Sequence, residues 1–215
     1  MTDTRSRVLY ERLSELLPAG WRDAAPWGYP HQVELALIAG VFRAQTPQAN
    51  TDAVVDFVMR SRSHSLLDDL AELSDAGADG VATVLGPVYG DSNVLGVPVL
   101  RAAVIHGAAA ALVAEGVRSG EQLRTAAIER PDAVETAVLG VRGLGRVTWE
   151  WVAFLAQVKL RPEGDLQRFV QRLVDDESLT SDETSELLRL TARRFAADER
   201  DLAHAMREIL RAKAA

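Results

Sequence analysis

Cysteine is absent from the 215 residues. That excludes disulfides, thiolate zinc sites and cysteine-ligated iron–sulfur clusters. Aromatic residues make up only 6%, and Ala, Leu, Val, Glu and Arg dominate in their place, a balance that favours helices. Apolar runs such as Ala108–Ala114 are far too short to span a bilayer. No basic-then-apolar segment opens the chain, so the expectation is a soluble, cytoplasmic protein without membrane contact. The four histidines show no ligand spacing, and there is no phosphate-loop, two-histidine zinc or serine-elbow motif. No metal held by side chains and no cofactor is expected.

What is present is apolar residues recurring at spacings of three and four, with no convincing period-two stretch. The pattern predicts helices at 4–17, 31–43, 50–62, 66–73, 78–85, 98–115, 120–128, 131–138, 146–158, 165–176, 181–196 and 198–212. Ser119 with Gln122 and Thr180 with Glu183 read as capping boxes, and Pro131 suits a first helical turn. Breaks fall at Pro18–Pro30, Gly86–Pro98 and Lys159–Gly164. The fold class is therefore all-α, a bundle of short helices with a hydrophobic content of 47% to build its core.

The chain carries a net charge of −7, which argues against nonspecific coating of nucleic acid. Charge is unevenly placed. Val141 to Val174 holds Arg142, Arg146, Lys159, Arg161, Arg168 and Arg172 against Glu150, Glu163 and Asp165, a local +3 that leaves −10 for the remainder. At the head of this basic window stands Val141-Arg142-Gly143-Leu144-Gly145-Arg146-Val147-Thr148-Trp149. Glycines at alternate positions before a helix permit positive φ and close approach of a ligand. The helix start supplies unpaired amides and a positive dipole end. The alternative is an ordinary glycine-stopped turn between two helices.

This stretch, with Arg161-Pro162-Glu163-Gly164-Asp165-Leu166-Gln167 after it, resembles the helix-hairpin-helix DNA glycosylase superfamily of the endonuclease III type. Upstream, Ala36–Thr46 resembles the helix end in that family which carries a glutamine, here Gln45. The resemblance covers most of residues 30–176. It implies a two-lobed bundle with a cleft. One lobe would comprise 98–176, the other 1–30 and 177–215 together with part of 31–97.

It further implies a monofunctional glycosylase of base-excision repair, acting as a monomer on double-stranded DNA that carries a damaged or modified base. Arg142, Gly143, Leu144, Gly145, Arg146 and Thr148 would hold a phosphate, with a monovalent cation possible at the Gly143–Gly145 backbone. Gln45 would fill the gap left by the flipped base. Trp149 or Tyr89 would stack on that base, the alternative for Trp149 and its neighbour Trp151 being core packing. Asp165 or Glu163 would stabilise the developing sugar cation and orient water. Spacing from the hairpin selects Asp165, whereas Leu166, Phe169 and Val170 at three, six and seven residues on select Glu163.

The chain departs from the family at three points. Val147 stands where bifunctional members have their Schiff-base lysine, so lyase chemistry by that route is not expected. The cysteine cluster is missing, and Leu166-Gln167 replaces Thr-His. A non-catalytic helix-hairpin-helix DNA-binding protein is the rival reading.

Overall fold

A computed structural model describes residues 2–23, 27–62, 66–158 and 164–214. It is all-α. The helices run α1 (Thr2–Leu16), α2 (Val33–Arg43), α3 (Gln48–Ser61), α4 (Leu70–Asp75), α5 (Gly77–Tyr89), α6 (Arg101–Ala114), α7 (Gly120–Glu129), α8 (Pro131–Leu139), α9 (Arg146–Leu155), α10 (Asp165–Leu173), α11 (Ser181–Arg194) and α12 (Glu199–Ala214). A single 3₁₀ turn covers Trp21–Asp23. Among the described residues the sole β-type pairing is an isolated bridge between Asn93 and Leu100. No helix there is long and apolar enough to cross a membrane.

Local chemistry explains most boundaries. Both capping boxes form: Ser119 and Gln122 start α7, and Thr180 and Glu183 start α11. Pro131 occupies the first turn of α8, where its missing N–H costs nothing. The start of α4 differs from the sequence expectation. Helix α4 begins at Leu70 rather than 66, because the Asp69 carboxylate accepts the Ala71 amide and caps it there. The break expected at Gly86 is present: the helical backbone that starts at Gly77 is interrupted there, and a short helical turn to Tyr89 follows. Gly86 takes φ 77° and absorbs a kink before Pro87.

The chain divides into two compact units. Trp27–Leu160 forms one, around a core drawn from α2 through α9, in which α2 lies directly against α9 and α6 packs on α4 and α5. Helix α2 is buried on every face, in keeping with its nearly all-apolar sequence. Met1–Pro26 and Arg161–Ala215 form the other unit. There Leu9 and Leu13 of α1 share a core with Leu166, Phe169 and Val170 of α10, Leu187 and Leu188 of α11, and Leu202 and Met206 of α12.

The N- and C-terminal helices thus do pack together, but the boundaries at 97/98 and 176/177 expected from sequence need correction. Residues 31–97 and 98–158 contribute to a single core. Helix α10 leaves the proposed 98–176 lobe because its strongly one-sided apolar stripe packs on α1 and α11.

Candidate nucleic-acid interface

The glycine stretch joins α8 to α9 within the larger unit. Val134 and Val138 anchor α8 in the core. The Val141 amide donates to the Val138 carbonyl (3.1 Å), and the Leu144 amide to the Val141 carbonyl (3.0 Å), so the chain reverses in two successive turns. Gly143 sits at φ 95°, and a Cβ there would lie 2.9 Å from Cγ2 of Val104 on α6. The fold therefore requires glycine at this position. Leu144 points into the core, which pins the turn.

Gly145 is different. It is the N-cap of α9 at φ −101° and ψ 172°, an extended conformation open to any residue, and a Cβ there would meet nothing within 4 Å. No side chain caps α9, and its first turn contains no acidic residue. Helices α7, α8, α10 and α11 each carry one or more acids in their first turn, which offset their dipoles. The start of α9 thus keeps its positive end unopposed, with exposed Arg142 and Arg146 beside it. Arg146 reaches Glu135 on α8 at 3.1 Å. Val147 is 58% exposed. The Thr148 side chain is buried instead, so only its backbone can face a ligand.

Gln45 lies two residues beyond α2, half-buried. Its Oε1 accepts the Leu95 amide at 2.6 Å, tying the segment after α2 to the 90–100 loop. That loop also packs on the glycine turn, since Val94, Val99 and Val104 line the space a Gly143 Cβ would enter.

The two stacking candidates turn inward. Trp149 is 2% exposed within the core, which leaves no ring face for a base and agrees with the packing alternative. Tyr89 meets Phe42 edge-on, with ring centroids 6.1 Å apart, and packs against the same core. Trp151, half-buried, carries the Arg43 guanidinium over its ring at 5.1 Å.

Asp165 opens α10 in the other unit. Its side chain is 84% exposed and bonds Arg168 at 2.6 Å. Glu163, the other acid candidate, lies outside the described residues. Among the described residues no group of three or more His, Asp or Glu side chains has a metal-binding arrangement.

Sequence reasoning passed over two buried charges in the larger unit. Glu34 on α2 is 1% exposed. Its carboxylate bonds the Arg62 guanidinium at 2.8 Å and accepts the Asp69 amide at 3.3 Å. Burial pushes its pKa up, against the lowering pull of Arg62. Arg101, at the first position of α6, is 8% exposed and has its guanidinium 5.0 Å over the Phe42 ring. Both were legible as lone charges interrupting apolar helical runs.

Fold and turn together define an all-α protein with an uncapped, acid-free helix start presented by a tight glycine turn. The chain belongs to the family described as domain of unknown function (DUF8548), whose profile matches residues 8–211. No curated protein and no solved structure matches the chain.

Proposed function

We propose that this protein binds double-stranded DNA through the turn between α8 and α9, as a member of the helix-hairpin-helix glycosylase type, with a backbone phosphate held by the amides at the start of α9. The observation that carries this reading is Gly145: the fold does not require glycine there, yet its absent side chain leaves the uncapped α9 amides open to a ligand. Arg142 and Arg146 add positive charge beside that phosphate. A monovalent cation at the Gly143–Gly145 carbonyls would fit the same role. The protein would act as a monomer in the cytoplasm, associated with the nucleoid when bound.

Hydrolysis of the N-glycosidic bond of a flipped, damaged base is the activity to which this reading extends. Exposed Val147 supplies no amine, so the route would be monofunctional. Asp165 is heavily exposed and ion-paired with Arg168, which suits a helix-start carboxylate better than an acid working in a water-poor site. The register set by Leu166, Phe169 and Val170 assigns the catalytic role to Glu163.

Fluorescence anisotropy with a labelled duplex at low and moderate salt tests the binding claim. Affinity that falls steeply with salt, and is weakened in Arg142→Ala and Gly145→Ala, is expected. An absence of binding even at low salt would sink it. Base release from duplexes carrying uracil, alkylated or oxidised lesions tests the second claim. Release abolished in Glu163→Gln and retained in Asp165→Asn supports it. Binding without release selects the non-catalytic reading.

A further inference from the structure

The two buried charges of the larger unit are treated differently. Glu34 has a guanidinium and a backbone amide. Arg101 has neither a carboxylate nor a carbonyl: among the described residues no ion pair reaches it, and its buried Nε has no hydrogen-bond partner. Its one favourable contact is the face of Phe42. A guanidinium does not escape burial by losing its proton, and it presents five donors. Burial nevertheless draws its pKa down, with no charged neighbour opposing. A cation held this way costs the free protein stability.

The surroundings are also arranged for an anion. Arg101 is the first residue of α6, a helix of 14 residues whose first turn has no acid and whose N-cap, Leu100, makes no side-chain hydrogen bond. The Arg101 amide is used by the Ser92 carbonyl at 2.8 Å. The next amides of the turn have no intrahelical acceptor. The 90–100 loop borders this helix start and is tied to the segment after α2 through Leu95 and Gln45.

We infer that Arg101 and the first turn of α6 form a phosphate-binding site, filled by a free phosphate, a mononucleotide or a phosphate of a nucleic-acid strand. The planar fork of Arg101 would grip two phosphate oxygens. The glycine turn packs against this helix start through Val94, Val99 and Val104, but the site's existence does not depend on that turn binding DNA.

Thermal melts of the full chain in sodium phosphate against sodium chloride, at matched ionic strength and pH, test the inference. The same melts are run with a deoxynucleoside monophosphate and with a short duplex. The wild type gains about 3–6 °C at ten times the phosphate Kd. Arg101→Met loses that gain and in chloride melts at or above the wild type, since an unpaired buried charge has been replaced by an apolar chain of similar shape. Arg101→Lys, which keeps the charge without the fork, loses most of the gain and decides the matter if the Met variant does not fold. A gain with phosphate or mononucleotide but not duplex assigns a free-phosphate source, and a gain with all three assigns the strand. No gain in the wild type with any of the three, or an equal gain in the variants, overturns the site. Duplex affinity lost in Gly145→Ala but intact in Arg101→Met, with no phosphate gain in the wild type, would leave the turn standing and the Arg101 site refuted.

Discussion

Gly40 of α2 abuts Val152 of α9 so closely that a Cβ on Gly40 would lie 2.7 Å from the Val152 nitrogen and 2.8 Å from its Cα. The Val152 Cγ2 methyl lies nearer still, and even if it turned away the backbone atoms behind it could not. The contact sets how α9 lies in the core, and through α9 it places the amides that the glycine turn presents.

Gly40→Ala is accordingly expected to force α2 and α9 apart and to cost about 1–3 kcal/mol, the usual range for overpacking a core. Urea unfolding followed by circular dichroism measures it. A loss under about 0.5 kcal/mol, no more than an ordinary surface change produces, would mean the two helices separate freely.

The two glycines of the turn separate fold from function. Gly143→Ala meets both a positive φ and the Val104 side chain, and is expected to cost about 1–3 kcal/mol of stability. Gly145→Ala meets neither and leaves the urea midpoint unchanged, while its methyl group obstructs the α9 amides and weakens duplex binding by about tenfold, the equivalent of about 1.4 kcal/mol. Equal duplex affinity in Gly145→Ala and wild type would remove the reason for regarding that glycine as functional.

Glu34 predicts a pH dependence with a definite sign. Burial raises its folded-state pKa, so the native chain holds a proton there over a range in which the unfolded chain has released it. That range opens near the ordinary glutamate value of about 4.3. Stability from this group is whole below it and is lost as pH rises through the folded value. Glu34→Gln removes the effect. Its urea midpoint relative to wild type is therefore expected to improve as pH rises above the ordinary glutamate range. A relative midpoint that stays flat or declines would contradict the raised pKa.

Asp165 is bonded to Arg168 three residues on and stands mostly in solvent. Exposed pairs of this kind contribute little. Asp165→Asn is expected to leave the melting temperature and any base release unchanged. A large loss of release in this variant, with folding intact, would return the catalytic role to Asp165.

The helices could be read in advance because their causes are local. Apolar spacing, two capping boxes and Pro131 act within a few residues, and those elements appear where the pattern places them. The glycine turn was equally visible, since positive φ at Gly143 is demanded by a residue type that sequence displays.

The side to which α10 packs, the fate of Trp149 and the isolation of Arg101 depend on contacts between residues far apart in the chain. An apolar stripe does not say which core will receive it, and Leu166, Phe169 and Val170 join α1 and α11 only because those helices offer the matching faces. Likewise, Trp149 disappears into a core that α2 closes from more than a hundred residues away. Local physics wrote the elements and the turn, while long-range packing decided which side chains were buried and which were left facing solvent.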